Sequence, residues 1–189
     1  MIPHAYFFGY GSLVNRDTHH FEGAHPARLT GWRRVWRHTR LREVAYLTVV
    51  PDATGDIDGL IAQVPHDDWD ALDKREGAYE RVAASHQVAH PLPDQPEIAV
   101  YAIPDGKHGH PTEAGPVLLS YIDVVVQGYL REFGEDGAGR FFDTTSGWDA
   151  PVLADRGDPI YPRHTRLGPS ERTFVDDHLD ALGVRFLNP

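Results

Sequence analysis

The stretch "AYFFGYGSLVN", residues 5–15, runs an apolar segment straight into Gly-Tyr-Gly-Ser-Leu. Ala5, Tyr6, Phe7 and Phe8 read as a strand rich in β-formers. Gly9 and Gly11 then bracket Tyr10, a spacing that lets the backbone turn sharply and leave N–H groups uncovered. Uncovered N–H groups beside the Ser12 hydroxyl can hold a carboxylate or a phosphate. The same residues would also serve simply to end a strand. The pattern is neither the G-x-G-x-x-G dinucleotide fingerprint nor the G-x-S-x-G nucleophile elbow, which argues against Ser12 as a nucleophile.

Outward from this stretch, the first half of the chain reads as strands. "GWRRVWRHT" (31–39) alternates as a two-faced strand, and "VAYLTVVP" (44–51) and "LIAQVP" (60–65) are apolar runs. "ATGDIDG" between the last two is turn chemistry, so those two runs are expected to form a hairpin. "HDDWDALDKREG" (66–77) is expected to be a helix. Asp67 or Asp68 caps it, Trp69 and Leu72 share a face, Lys74 and Arg75 lie in the last turn, and Gly77 stops it. "RVAASHQVAH" (81–90) and "EIAVYAIP" (97–104) return to strand.

The second half is helical. In "PVLLSYIDVVVQGYLREFG" (116–134), Leu118, Ile122, Val125, Tyr129 and Phe133 line one face, and Asp123, Gln127 and Arg131 another. Pro116 suits the first helical position and Gly134 the C′ position. "SERTFVDDHLDALG" (170–183) repeats the plan, with Ser170 as cap, Val175, Leu179 and Leu182 as the buried stripe and Gly183 as stop. Residues 144–166 between them read as an ordered loop wrapping the body. Strands that mostly precede helices point to an α+β domain with an antiparallel or mixed sheet. A length of 189 residues suits one domain, 1–189, able to bury a substantial core.

Cysteine is absent, which excludes disulfides, thiolate catalysis and cysteine-ligated metals. A net charge of −10 sets the molecule against nucleic acid and anionic membranes. No signal peptide is expected, because the N-terminal apolar run stops at Gly9 and no basic segment precedes it. No apolar stretch is long enough to span a bilayer. These features lead to the expectation of a cytoplasmic, soluble protein.

Glu76 lies at the C-terminal end of its helix, where the helix dipole disfavours a negative charge while Lys74, Arg75 and Arg81 favour one. A carboxyl group held in that balance can shuttle protons. It also reads as an ordinary surface glutamate, and Glu80 competes for the role. Arg33, Arg34, Arg37, Arg40 and Arg42 form the one basic concentration in an acidic chain. They read as a solvated strand face with local ion pairs, or as a site for an anionic small molecule. The interleaved Trp32 and Trp36 would suit stacked bases, against the overall charge. None of the twelve histidines falls in a metal-ligand motif, so no metal and no cofactor is expected.

Taken together, "FGYGSL" (8–13) and "LDKREGAYERV" (72–82) resemble the γ-glutamylcyclotransferase superfamily, which includes the ChaC-like proteins. "RRVWRHT", "TVVP" and "GLIAQV" stand in the expected order, so the resemblance covers about residues 5–103. It implies a small mixed or antiparallel β-barrel flanked by α-helices. It assigns Glu76 as the catalytic proton carrier and Tyr10, Gly11, Ser12 and Leu13 as the loop that grips the substrate's glutamyl end. The implied reaction cyclises a γ-glutamyl amide, amine or peptide to 5-oxoproline and releases the amine, without a cofactor. Glu76-Gly-Ala-Tyr79 and Val14-Asn15 depart from the ChaC-like pattern, so glutathione specificity is not carried over. The alternative is a non-catalytic module that binds a γ-glutamyl or other carboxylate ligand on the same fold.

Overall fold

The computed structural model describes residues 5–40 and 43–189. Along the chain run β1 (Tyr6–Gly9), a 3-10 turn (Ser12–Val14), β2 (His25–Arg37), β3 (Tyr46–Gln63), α1 (Trp69–Arg75), β4 (Glu80–Ala83), β5 (Val88–Ala89) and β6 (Ile98–Ala102). After them come β7 (Val117–Leu118), α2 (Leu119–Asp143), β8 (Thr145–Ser146), β9 (Val152–Leu153), α3 (Pro169–Ala181) and β10 (Phe186–Leu187). The main sheet has the order β4-β6-β1-β3-β2-β5, with β8 alongside β2. It is mixed, because β1 pairs antiparallel with β3 and parallel with β6. The sheet curls into a half-barrel with helices packed on it, an α+β architecture. Among the described residues no helix is long and apolar enough to cross a membrane.

Alternation along β1 explains how both faces of the sheet are covered. Tyr6 and Phe8 point into the large core under α2, and Ala5 and Phe7 into a smaller one that includes Leu72 of α1. Asp68 caps α1 by accepting the Ala71 N–H at 3.0 Å, and Leu72 and Trp69 face the smaller core.

Several sequence expectations are corrected. "ATGDIDG" does not reverse the chain: it lies inside β3, so 44–51 and 60–65 belong to one long strand and the hairpin joins β2 to β3. The Asp52 carboxylate does accept the Thr54 N–H and hydroxyl, a local turn, but the ladder continues across a register shift at Thr30/Trp32. Turn residues here mark a bulge, not a hairpin tip. Gly134 has the positive φ of a C′ residue (69°), yet α2 resumes beyond it and the glycine is a kink. Pro116 precedes β7 and is not the first residue of α2. Gly168, not Ser170, holds the N-cap position of α3. Leu182 is 42% exposed and lies outside the buried stripe of Val175 and Leu179.

Asp123 and Gln127 on the polar face of α2 are buried as well, while Arg131 is exposed. Asp123 forms a two-pronged ion pair with Arg156 at 2.7 and 2.8 Å, and Gln127 accepts the Asn15 amide at 3.0 Å. Close contact with the first loop depends on Gly128, where a Cβ would stand 2.5 Å from the backbone nitrogen of Asn15. In an isolated helix Gly128→Ala would gain about 1 kcal/mol of propensity. Here overpacking against rigid backbone costs about 1–3 kcal/mol. The net expectation is a lower melting temperature, and a melting temperature raised by the substitution would contradict this packing.

Candidate functional site

Sheet order brings the two motifs together. β4 runs antiparallel to β6, and β6 parallel to β1, so β4 begins at the end of the sheet where β1 stops. The registers Glu80↔Ala102 and Phe8↔Val100 put the β4 entrance level with Tyr10, two strands or about 10 Å away. The turn after α1, closed by a 2.7 Å Tyr79 N–H to Glu76 carbonyl bond, therefore faces the loop after β1. Between them lies a cavity of about 270 Å³ lined by Gly9–Leu13 on one side and by Arg75, Glu76 and Tyr79 on another. All five residues expected at the site line it: Tyr10, Gly11, Ser12, Leu13 and Glu76. Glu80 does not; its carboxylate pairs with Lys107 at 2.9 Å on the exposed surface.

The loop is held by its own backbone. The Val14 and Asn15 N–H groups donate to the Gly11 and Ser12 carbonyls at 3.0 Å, and Thr18 Oγ1 donates to the Ser12 carbonyl at 2.9 Å. These bonds use carbonyls. The Ser12 N–H has only a long 3.4 Å contact with the Tyr121 hydroxyl, and the Leu13 N–H meets no protein acceptor among the described residues. They are the orphan donors of a short helical turn, open to an anion. Gly11 is required by close approach, since a Cβ there would stand 2.4 Å from the Tyr121 hydroxyl oxygen.

Tyr10 contributes differently from the rest of the loop. Its hydroxyl is buried and donates to the Tyr101 carbonyl at 2.7 Å, while its own carbonyl is held from below by Arg34 Nε at 3.1 Å and the Tyr129 hydroxyl at 3.0 Å. Burial holds the Tyr10, Tyr79 and Tyr121 phenols far above their ordinary range, and neighbouring phenols add to it. At neutral pH these groups stay protonated and act as donors, not bases.

His19 also lines the cavity, and both of its ring nitrogens are used. Nδ1 accepts the Phe21 N–H at 3.1 Å, so Nε2 carries the proton and donates to the Leu13 carbonyl at 2.9 Å. Burial lowers its affinity for a proton; the Leu13 carbonyl raises it, while Arg16, His20 and Arg163 lower it further. A folded-state value below the unfolded value of about 6.5 means that the stability contributed by neutral His19 is complete above that pH and lost as pH falls through the folded value. Melting curves from pH 8 to 5 are expected to fall more steeply for the wild type than for His19→Gln. Parallel curves would contradict this role.

Glu76 is the one carboxylate lining the cavity among the described residues. Its side chain is 34% exposed, and Arg75 Nε stands 3.9 Å from its Oε1. Arg81 turns instead to Asp73 at 3.4 Å and to the Trp69 ring. None of Arg33, Arg34, Arg37 and Arg40 lines the cavity, and Arg42 lies outside the described residues. Arg34 is fully buried, Arg33 pairs with Asp52 at 3.7 Å, and Trp32 and Trp36 belong to the core, where no base could stack on them. Among the described residues the cavity's arginines are Arg75 and Arg163, and the sequence singles out only the first. Among the described residues no group of three histidines or carboxylates converges as a metal ion would need.

The family model for γ-glutamyl cyclotransferase, AIG2-like proteins matches residues 7–119, and the chain belongs to that family. Comparison with curated protein sequences finds no match. Among solved structures, one named γ-glutamyl cyclotransferase superposes with a TM-score of 0.58 at 12% identity, covering 92% of this chain and 98% of that one. An uncharacterized human protein, loc79017, gives 0.56 at 13% identity, covering 91% and 98%. YkqA from Bacillus subtilis gives 0.55 at 18% identity, covering 76% of this chain and 56% of that one. At these identities the structures share the fold. The fold matches extend well past residue 119, the end of the family-model match.

Proposed function

We propose that the protein is a γ-glutamylcyclotransferase acting as one domain over residues 1–189, with Glu76 as general base and acid. The observation that carries this reading is the pairing, across one small cavity, of open backbone donors at Ser12 and Leu13 with Glu76, the one carboxylate lining it among the described residues. The α-carboxylate of a γ-glutamyl group would lie against those N–H groups and the Ser12 hydroxyl. So fixed, the substrate folds its α-amine back toward its own γ-carbonyl carbon. Glu76 accepts a proton from the α-ammonium, and the freed amine attacks the γ-carbonyl. Glu76 returns that proton to the leaving nitrogen as the bond from the γ-carbon to it breaks, and the ring nitrogen gives up its second proton to the departing amine, which leaves as an ammonium ion.

The products are 5-oxoproline and the released amine. Closure of a five-membered ring is already favoured by proximity, so orientation and proton transfer are the enzyme's main contributions. Tyr79 and Tyr121, protonated at neutral pH, wall the reaction space without competing for the proton. Incubation with a panel of γ-glutamyl amines, amino acids and peptides tests the reading through 5-oxoproline release. Ligand-induced thermal stabilisation without turnover across the panel would identify a binding module instead.

A further inference from the structure

The segment between α2 and α3 lies beyond the residues matched by the family model, yet it completes the cavity. Its path is fixed by buried polar groups. Asp155 is 1% exposed, and its carboxylate accepts the Ser120 N–H at 2.8 Å, the Ser120 hydroxyl at 2.5 Å and the Ile160 N–H at 2.9 Å. Ser120 Oγ in turn accepts the Tyr161 N–H at 3.3 Å. One residue along, Arg156 binds Asp123 of α2 and Asp176 of α3, the latter at 2.8 Å. The strap is thus pinned to both helices, and Tyr161 is delivered edge-on to Tyr121, ring centroids 5.0 Å apart. Arg163 follows, with Nε donating to the Tyr161 hydroxyl at 3.1 Å.

Charge balance within the cavity then becomes informative. Arg75 is matched by Glu76, and His19 is neutral. The substrate's α-carboxylate and α-ammonium would be met by the loop donors and by Glu76. Arg163 lines the same cavity and meets no carboxylate among the described residues. Its charge is felt at both His19 and Tyr121. In a molecule of net charge −10, an unmatched guanidinium at the mouth of a small cavity marks a place for an anion.

We infer that Arg163 is a specificity-determining residue that binds a carboxylate on the leaving group, so that the preferred substrates are γ-glutamyl-amino acids and not γ-glutamyl-alkylamines. This rests on the cyclotransferase reading above. The Tyr161 hydroxyl engages Nε of the guanidinium at the edge of its ring, which leaves the two terminal nitrogens for a carboxylate.

A matched substrate pair tests it: γ-glutamyl-alanine and γ-glutamyl-ethylamide differ only in that carboxylate. The wild type is expected to favour the alanine compound in kcat/KM by roughly ten-fold, the size for a solvent-accessible charge-assisted contact. That preference should shrink as salt is raised. In Arg163→Gln the ratio should fall toward one, chiefly through the KM of the alanine compound. Arg163→Lys should restore part of it, and Arg163→Glu should reverse it. Equal turnover of the two compounds by the wild type, or a ratio unmoved in Arg163→Gln, would overturn the inference and leave the cyclotransferase reading standing. Absence of 5-oxoproline from every compound in the wider panel would overturn both.

Discussion

Glu76→Gln is expected to lose 5-oxoproline release by about 10²–10⁴-fold, the usual size of a general acid–base contribution. The loss should fall on kcat, with KM for the γ-glutamyl substrate little changed, because the loop donors proposed to grip the substrate are untouched. The amide keeps the shape of the side chain but cannot accept the α-ammonium proton. Stability should be nearly unaffected, since the side chain is 34% exposed at the end of a short helix. Glu76→Asp is expected to fall between the two, because the carboxylate is retained but withdrawn by one methylene. Steady-state kinetics by chromatographic detection of 5-oxoproline, with melting curves as control, checks both statements. Full activity in Glu76→Gln would remove the proposed mechanism even if cyclisation occurs.

Arg34→Met is expected to produce the largest loss of stability. Arg34 is fully buried and has no carboxylate partner among the described residues; Asp58, whose carbonyl it binds, gives its carboxylate to Arg28 and Arg140 at 3.0 Å. The guanidinium instead bridges four groups: the Tyr10 and Asp58 carbonyls, Thr144 Oγ1 at 2.8 Å and the Tyr129 hydroxyl at 2.5 Å. It also lies against the rings of Tyr129 and Phe141, at 5.0 and 5.2 Å from their centroids. The Tyr129 hydroxyl stands near both carbonyls but has one proton to donate. Without Arg34, one buried carbonyl has no donor, at a cost of about 1–3 kcal/mol, and the lost packing adds to it. A total near 3 kcal/mol corresponds to a drop on the order of 10 °C in melting temperature for a chain of this size. Since the Tyr10 carbonyl anchors the loop proposed to hold the substrate, KM should rise as well. A variant as stable as the wild type would show that this network is dispensable.

Those two residues also show what could and could not be read from sequence. Glu76 and the Gly9–Leu13 loop were legible because each is a local signal: a strand ending in paired glycines, and a capped helix ending in a charged turn. Their convergence was not local. It follows from β6 lying between β4 and β1, which no periodicity reveals. Arg34 was misread for a related reason, since an arginine in an alternating strand looks like a solvent-facing residue. Its burial depends on Tyr129 and Thr144, more than ninety positions away. "ATGDIDG" was misread because turn residues mark bulges within strands as readily as chain reversals. Tyr161 and Arg163 left no sequence signal at all. They occupy an irregular segment whose path is set by the carboxylate of Asp155 and the ion pairs of Arg156.

The most direct measurement is a crystal structure of Glu76→Gln soaked with γ-glutamyl-alanine, which the variant should bind without consuming. The glutamyl α-carboxylate is expected against the Ser12 and Leu13 N–H groups, with the α-amine within hydrogen-bonding distance of the residue 76 side chain. A γ-glutamyl group lodged elsewhere, or bound in the cavity with its α-amine remote from residue 76, would contradict the account.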